Sequence, residues 1–237
     1  MTDQLQLAPY IDHTLLKPEA TARDIEKLCA EASRYHFYSV CVNGSWVPAC
    51  RDLLNGTGVN VTAVCGFPLG ASSSQAKAFE AARAVEDGAA EIDMVLQIGS
   101  LLSGDVKAVE QDIAQVVRMV EGSVIVKVTL ETGILHTEHK IAACKASEAA
   151  GAHFVKTSTG FGKGGATLED IRLLRAHVPV HMGVKASGGI RDTAAALAMI
   201  QAGATRIGTS FGIAIVNGSG SKPAGNTKAG PGGNLQY

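Results

Sequence analysis

The sequence predicts an α/β protein made of one closed barrel of eight parallel strands with intervening helices, a (β/α)8 barrel. Eight short apolar runs rich in valine and isoleucine recur along the chain, and helical stretches separate them. Three of those stretches end in Gly-Ala just before the next apolar run, at residues 88–92, 151–155 and 203–207. The length of 237 residues is typical of one such barrel forming a single domain.

The candidate strands are nearly continuous apolar runs, as expected for a parallel sheet whose two faces are both covered. They are residues 11–15, 38–42, 59–64, 91–96, 124–130, 154–157, 183–186 and 206–208. The glycine of each Gly-Ala pair can adopt the left-handed conformation that closes a helix. Helix followed at once by strand is the order that βα units require.

Several helical segments begin with a residue type that caps helices. Thr21 precedes a segment with one apolar face, and Ser72 with Gln75 forms a candidate capping box. Further candidate caps are Thr137, Thr167 and Asp192, and apolar residues repeat at helical spacing over 105–121. An open, doubly wound sheet is the alternative, but no Gly-x-Gly-x-x-Gly follows an early strand. A TIM-type barrel is therefore predicted.

Composition divides the chain into two parts. Residues 1–216 are predicted to form the barrel, with residues 1–9 as a lead-in segment. From residue 217 to 237 the chain is rich in Gly, Ser, Asn, Lys and Pro, which predicts a flexible C-terminal tail. The tail ends in an aromatic residue, Tyr237, which is unusual for a solvated segment.

Charge and cysteine content exclude several classes of partner. A net charge of −1 gives no general attraction to nucleic acid or to an anionic membrane. No segment approaches the ~20 apolar residues of a membrane span, and the first nine residues do not resemble a signal peptide. The five cysteines show no Cys-x-x-Cys or Cys/His zinc spacing. We therefore expect a cytoplasmic protein with reduced thiols and no metal or cofactor.

Three predicted strands carry one lysine each, Lys127, Lys156 and Lys185, which follow one another at intervals of 29 residues. This spacing predicts that the three lie at equivalent heights on consecutive strands. Clustered ammonium groups repel one another, which lowers the pKa of at least one, and a neutral lysine can form an imine with an aldehyde or ketone. The alternative is that they lie at the rims of the barrel and pair with carboxylates.

Asp93 interrupts the apolar strand at 91–95, where a carboxylate requires a cation or hydrogen-bond donors. It is interpreted as an ion-pair partner of the lysines, as a proton shuttle that they hold, or as both. Asp12, His13 and Thr14 add polar groups at the first strand. His13 by itself is more typical of a hydrogen-bonded structural histidine, and the other histidines form no metal pattern.

The loops after the last three strands are rich in glycine, at residues 162–165, 187–189 and 208–210. Backbone amides freed of side chains near a helix start bind anions, and barrel enzymes often bind phosphate after strands seven and eight. Glycines also form ordinary turns. Together with Lys163, the three loops predict a phosphate site.

Several of these segments carry recognisable motifs. They are Ile-Asp-His-Thr-Leu-Leu-Lys-Pro at 11–18, Gly-Phe-Pro-Leu-Gly at 66–70, Glu-Ile-Asp-Met-Val at 91–95 and Leu-Glu-Thr-Gly at 130–133. The most specific are Phe-Val-Lys-Thr-Ser-Thr-Gly-Phe at 154–161 and Gly-Val-Lys-Ala-Ser-Gly-Gly-Ile-Arg at 183–191. In this order, over nearly the whole chain, they resemble the deoxyribose-phosphate aldolases.

The resemblance implies a class I, metal-free aldolase of deoxyribonucleoside catabolism. Such an enzyme reversibly cleaves 2-deoxy-D-ribose 5-phosphate to acetaldehyde and D-glyceraldehyde 3-phosphate. By that pattern Lys156 forms the imine, Lys185 keeps the pKa of Lys156 low, and Asp93 with Lys185 transfers protons. Tyr237 reaches back for proton transfer at the enamine carbon. The residues implied around substrate and phosphate are Thr14, Lys127, Thr159, Lys163, Gly188, Gly189 and Ser210. Family members commonly form homodimers or homotetramers.

One motif departs from the family pattern. Gly208-Thr209-Ser210-Phe211 stands where the family usually has Gly-Thr-Ser-Ser, so one phosphate donor is missing. Cys41 is interpreted either as a pocket-lining thiol or as simple packing. Two other functions stay open: a lysine-imine aldolase of a different carbonyl substrate, and a non-catalytic sugar-phosphate-binding barrel. The second has no need of Lys156, Lys185 and Asp93 together.

Overall fold

Eight parallel strands close into a barrel in the computed structural model, which describes residues 6–122 and 124–218. Neighbours in sequence are neighbours in the sheet, and β8 pairs with β1 to close it. The strands are β1 Ile11–Leu15, β2 Ser39–Val42, β3 Asn60–Cys65, β4 Glu91–Val95, β5 Ile125–Thr129, β6 Phe154–Lys156, β7 Gly183–Ser187 and β8 Arg206–Thr209. Each lies within one residue of its predicted bounds, and the predicted fold is confirmed.

Helices connect successive strands and cover the outside of the barrel. They are α1 Ala22–Tyr35, α2 Val47–Leu54, α3 Ser74–Glu86, α4 Ile98–Leu102, α5 Val106–Met119, α6 Thr137–Ala149, α7 Leu168–Ala176, α8 Thr193–Gln201 and α9 Gly212–Val216. Short 3₁₀ turns lie at Ala8–Tyr10, Gly44–Trp46 and Thr132–Ile134. None of the helices in the described ranges is long and apolar enough to span a membrane.

Three of the predicted helix caps are confirmed, namely Thr21, Thr167 and Asp192. The predicted capping box at Ser72 is wrong, because the chain enters α3 one residue later and Ser73 accepts the hydrogen bond from Ala76 N. Thr137 is also not a cap, since it is already the first residue of α6. Both errors are shifts of one residue, which propensity alone does not resolve.

Alternate residues of each strand face opposite sides of the sheet, one side towards the helices and the other towards the inside of the barrel. Apolar side chains such as Val40, Ile92, Val126 and Val184 are fully buried in the main core with apolar residues of the surrounding helices. Between them, charged and hydroxyl side chains contact partners on distant strands, which is possible only across the inside of the barrel. The barrel interior is therefore largely polar, with a small separate apolar group that includes Cys41 and Val64, and the main apolar core is the shell around it.

The two ends of the chain are described only in part. Leu7 of the lead-in segment is buried against the core and precedes the first 3₁₀ turn. The predicted flexible tail at 217–237, including Tyr237, falls outside the described residues apart from 217 and 218. The domain boundary at residue 216, where α9 ends, stays a prediction.

Candidate active site

Asp93, the third residue of β4, is the centre of a charged cluster inside the barrel. Its Oδ1 accepts a hydrogen bond from Lys127 Nζ at 2.7 Å. Its Oδ2 accepts one from Lys156 Nζ and one from Lys185 Nζ, both at 2.8 Å. The structure thus brings together the four charged residues that the sequence singled out on the strands.

The predicted equal height of the three lysines is wrong for one of them. Lys156 and Lys185 are direct partners across β6 and β7, whereas Lys127 on β5 is aligned with Phe154 and lies one inward position lower. The strands of a closed barrel are staggered, so equal spacing in sequence does not place residues at one level. Lys127 is instead the direct partner of Asp93 across β4 and β5, and its ammonium group contacts that carboxylate.

Two further carboxylates, Asp12 on β1 and Glu91 on β4, complete the anionic half of the cluster. Lys185 Nζ contacts Asp12 Oδ2, and Lys127 Nζ lies 2.6 Å from Glu91 Oε2. Sequence reasoning treated Asp12 only as a polar group and did not assign Glu91. The signal was available in β4, where Glu91 and Asp93 are two residues apart and so face the same side.

Arg206, the first residue of β8, is a fourth cation that sequence reasoning missed. Its Nη1 lies 2.9 Å from Asp12 Oδ1 and 3.1 Å from Glu91 Oε2. The guanidinium carbon is 3.4 Å from the centroid of the Tyr38 ring, a close cation–π contact. Arg206 therefore neutralises Asp12 and Glu91, whereas Lys156 pairs with Asp93.

Burial and neighbouring charges have opposite effects on the pKa values of Asp93, Lys127 and Lys185. Burial raises the pKa of Asp93, but the charges of Lys127, Lys156 and Lys185 outweigh it and leave that pKa well below its ordinary value. Burial lowers the pKa of Lys185, but Asp12 and Asp93 outweigh it and leave the pKa raised. The pKa of Lys127 is raised in the same way, chiefly by Asp93.

Repulsion among the ammonium groups was predicted to lower the pKa of at least one lysine, and Lys127 and Lys185 are not that lysine. The carboxylates outweigh both burial and repulsion: Glu91 lies 2.6 Å from Lys127 Nζ, and Asp93 lies 2.8 Å from Lys185 Nζ. The alternative, in which the lysines lie at the rims of the barrel, is wrong about where they lie. The lysines do pair with carboxylates, but inside the barrel, where Lys127 and Lys185 are fully buried.

Lys156 differs from the other two lysines in its contacts. It pairs with one carboxylate, Asp93, whereas Lys185 pairs with two and Lys127 has three within 4 Å. The cluster as a whole has one more cation than carboxylates: Lys127, Lys156, Lys185 and Arg206 face Asp12, Glu91 and Asp93. Lys156 therefore has the fewest ion pairs of the three lysines, in a cluster with one excess positive charge.

A small apolar group borders the Lys156 amine. Leu16, Cys41 and Val64 form a buried cluster separate from the main core, and Phe67 packs on it. The centroid of the Phe67 ring is 5.6 Å from Lys156 Nζ. Burial, followed by the charge of Asp93, raises the pKa of Cys41 to about 11, so its thiol is neutral at pH 7. Cys41 thus packs in the wall of the site.

The loops after β7 and β8 meet at a small cavity. Its lining consists of Gly188, Gly189, Ile190, Arg191, Gly208, Thr209, Ser210 and Phe211. Gly188 and Gly189 have φ values of +95° and +81°, which residues other than glycine rarely adopt. Ser210 Oγ donates to the backbone oxygen of Thr14 at 2.9 Å, which brings these two predicted site residues together.

Arg191 and Phe211 form one side of this cavity. The Arg191 guanidinium carbon lies 5.4 Å from the centroid of the Phe211 ring. Arg191 therefore puts a positive charge beside the glycine loop. It is the last residue of the motif at 183–191, but no role was predicted for it from the sequence. Phe211 occupies the position at which the family pattern has a second serine.

The other predicted site residues do not all line this cavity. Lys163 is exposed on the loop after β6 and does not line the cavity, although Ala166 of the same loop donates its N–H to Gly188 O at 3.0 Å. Thr159 is buried and bonded to Glu131.

His13 contacts Glu31 of α1 at 2.9 Å and has no ion pair with the cluster, as expected for a structural histidine. Among the described residues, no group of His, Cys, Asp or Glu is arranged to hold a metal.

Comparison with known proteins decides the family. The family model described as DeoC/LacD family aldolase matches residues 7–218. The chain belongs to this family. The resemblance inferred from the motifs is confirmed, and the DeoC/LacD chain is a metal-independent lyase of the aldolase class.

Proteins related to this chain are similar to it over most of their own length. The deoxyribose-phosphate aldolase of Bdellovibrio bacteriovorus is 55% identical over 90% of this chain and 97% of its own. The enzyme of the same name from Brevibacillus brevis is 54% identical over 91% and 97%. A solved structure described as a tetrameric deoxyribose phosphate aldolase from Aeropyrum pernix is 36% identical, with a TM-score of 0.83 over 89% of each chain.

Proposed function

We propose that this chain is a class I aldolase that reversibly cleaves 2-deoxy-D-ribose 5-phosphate to acetaldehyde and D-glyceraldehyde 3-phosphate. The observation that carries the proposal is the sharing of Asp93 Oδ2 by Lys156 and Lys185 in a barrel of this family. That geometry supports the proposal, because imine chemistry requires an amine nucleophile and a proton-transfer group within hydrogen-bond reach of each other.

Lys156 is the proposed nucleophile. In its neutral form the amine attacks the C1 aldehyde of the open-chain sugar, and loss of water gives an imine that acts as an electron sink. Asp93, held in place by Lys185, then accepts the proton of the 3-hydroxyl, directly or through water, and the C2–C3 bond breaks. Protonation of the resulting enamine at C2 and hydrolysis release acetaldehyde.

The surroundings of Lys156 suit the two halves of this substrate. The apolar wall of Leu16, Cys41, Val64 and Phe67 offers a surface for the methyl end of the two-carbon fragment. The glycine loop and Arg191 offer amide and guanidinium donors for the phosphate, and Ser210 lines the same cavity. Lys127 is fully buried among Asp93 and Glu91, so we assign it to support of the carboxylates instead of substrate contact.

The assignments of Thr14, Thr159, Lys163 and Tyr237 remain proposals of the same kind. A homodimer or homotetramer is proposed by analogy with the Aeropyrum pernix protein, which is described as tetrameric. A cytoplasmic location remains a prediction from the sequence.

A second candidate function is cleavage of a sugar that lacks phosphate. The observation in its favour is Phe211, a half-exposed aromatic side chain where the family pattern supplies a hydroxyl donor. Comparison of kcat/KM for 2-deoxyribose 5-phosphate and for 2-deoxyribose separates the two. We expect the phosphorylated sugar to be the better substrate, because the glycine loop and Arg191 remain.

The direct test of the proposed function is imine trapping. The protein is incubated with acetaldehyde and reduced with borohydride, and the added two-carbon mass is located by peptide mass spectrometry. We expect the adduct on Lys156 and none on Lys77, a fully buried lysine outside the cluster that serves as an internal control. Labelling spread over surface lysines and unchanged in Lys156→Ala would overturn the assignment.

A further inference from the structure

Glu131, two residues after the end of β5, has an unusual backbone. Its φ and ψ are +61° and +57°, a left-handed conformation that is uncommon outside glycine, and it is only 4% exposed. Such a conformation persists where surrounding contacts impose it. Leu130 N donates to Lys156 O and Thr132 N donates to Thr157 O, both at 2.9 Å. The backbone on either side of Glu131 is therefore bonded to the segment that carries Lys156.

The Glu131 carboxylate holds the loop that follows β6. Its Oε2 accepts hydrogen bonds from Thr159 N at 3.2 Å and from Thr159 Oγ1. Gly162 lies over the same carboxylate so closely that a Cβ there would be 2.9 Å from Glu131 Cδ. The loop also carries Phe161, whose ring packs edge-on against Phe67 at 5.6 Å between centroids. Glu131 thus connects the loop to the wall beside Lys156.

The hydrogen bonds fix the direction in which Thr159 can bind a ligand. A threonine hydroxyl has one proton and two lone pairs. Thr159 Oγ1 gives its proton to Glu131 and accepts from Phe161 N at 3.1 Å. One lone pair remains, so the next partner must be a donor. A carbonyl or phosphate oxygen is excluded as that partner, and a substrate hydroxyl fits.

We propose that Glu131 is a positioning residue for the substrate. Its carboxylate holds the Thr159 hydroxyl as an acceptor for a hydroxyl group of the bound sugar phosphate. This inference rests on the proposed function. It gives Glu131 a role in substrate binding and none in the proton transfers of the reaction. It has a specific consequence: the sugar phosphate depends on Glu131, whereas acetaldehyde, which has no hydroxyl, does not.

The test compares Glu131→Ala with Glu131→Gln. We expect Glu131→Ala to lower kcat/KM for 2-deoxyribose 5-phosphate by about 10- to 100-fold, the usual cost of misplacing a substrate-binding group. Glu131→Gln keeps an oxygen that accepts both hydrogen bonds from Thr159, so it should stay within about fivefold of wild type. The rate of borohydride-trapped imine formation with acetaldehyde at Lys156 should change less than about twofold in both variants.

Thr159→Val supplies an independent variant that removes the hydroxyl and keeps the shape. It should lose kcat/KM as Glu131→Ala does, and the double variant should be no slower than the worse single one, since the two residues act as a unit. Asp170→Asn is the matched control. It breaks a partly buried pair with Lys140 at 2.6 Å between α6 and α7, so it should lower the melting temperature without changing kcat/KM.

Three results would overturn the inference: an unchanged kcat/KM in Thr159→Val, additive losses in the double variant, or equal losses in Glu131→Ala and Glu131→Gln. Parallel loss of acetaldehyde trapping would also overturn it, because it would indicate collapse of the whole site. If Glu131→Ala fails to fold, Thr159→Val and Glu131→Gln still decide between these outcomes. Failure of the wild-type protein to cleave the sugar phosphate would instead reject the proposed function.

Discussion

One carboxylate, Asp93, contacts three ammonium groups, and this arrangement unites two interpretations made from the sequence. The ion pair with the lysines is present in the structure. The same oxygen, Oδ2, lies 2.8 Å from both Lys156 and Lys185, which is the distance that proton transfer requires. A residue that binds its neighbours this tightly can hold a proton-transfer geometry without further rearrangement.

Asp93→Asn should therefore affect both stability and turnover. The amide cannot balance three buried ammonium groups, so we expect the free energy of unfolding to fall by about 3–5 kcal/mol. Loss of the proton-transfer group should lower kcat by about 100- to 10,000-fold. Urea unfolding and initial rates with 2-deoxyribose 5-phosphate measure the two effects.

Asp112→Asn is the control for that variant. Asp112 is fully buried and pairs with Lys77 at 2.8 Å between α5 and α3, outside the cluster. It should lose stability to a similar extent while kcat stays within about threefold of wild type, because no reacting group is touched. An equal fall of kcat in both variants would mean that Asp93 acts only through stability.

At the scale of the elements, the short loops after β7 and β8 bring donors from separate strands to one cavity. Gly188 and Gly189 have positive φ, so the loop turns tightly and exposes its backbone amides. The hydrogen bond from Ser210 to Thr14 joins the end of β8 to β1 at the same end of the barrel. Loop conformation, more than any single side chain, forms the proposed phosphate site.

Gly189→Ala tests this role. Gly189 has a φ of +81° and open space around the position of a Cβ, so the substitution strains the backbone without a clash. We expect the loop to shift and KM for 2-deoxyribose 5-phosphate to rise about tenfold, with acetaldehyde trapping unchanged. The backbone strain should cost about 1–2 kcal/mol of stability.

Gly104→Ala, between α4 and α5, is the matched control. Gly104 has a φ of +80° and the same open surroundings, but lies far along the chain from the phosphate loops. It should lose comparable stability and leave KM within about twofold of wild type. A rise of KM in Gly104→Ala equal to that in Gly189→Ala would show that general destabilisation explains both.

At the scale of the whole molecule, the polar network ties the barrel together. Ser39 on β2 donates to Asp12 at 2.7 Å, and Thr62 on β3 donates to Glu91 at 3.0 Å. With the charged cluster, every strand contributes a member: Asp12, Ser39, Thr62, Glu91 and Asp93, Lys127, Lys156, Lys185 and Arg206. The site is thus complete only when the barrel is closed.

This network predicts how stability depends on pH. The pKa values of Asp12 and Asp93 are lower in the folded protein, so their stabilisation is complete above about pH 4 and is lost as the pH falls towards the folded values. The pKa values of Lys127 and Lys185 are higher in the folded protein. Their stabilisation is complete below about pH 10 and is lost as the pH rises.

Urea midpoints from pH 3 to 11 should therefore show a plateau with a decline at each end. The acid decline should persist in about 1 M salt, because buried pairs are screened far less than exposed ones. It should be smaller in Asp12→Asn, which has already lost one of the two carboxylates. A decline abolished by salt would assign it to exposed charges.

What the sequence by itself determined are the features that depend on neighbours along the chain. Apolar runs and the Gly-Ala endings defined the strands to within one residue, because periodicity and helix closure are local properties. The motifs around Lys156 and Lys185 identified the family before any geometry was known. Asp93 was found because a carboxylate inside an apolar strand is costly without partners.

Only the tertiary structure decided how distant residues combine. The stagger of the closed barrel places Lys127 below Lys156, although the sequence spaces the lysines evenly. Closure brings Asp12 and Arg206, from the two ends of the chain, to the same cluster. The carboxylates gathered there raise the pKa of Lys127 and Lys185 in spite of the neighbouring ammonium groups, because electrostatic energy depends on distance in space and on burial, and spacing along the chain specifies neither.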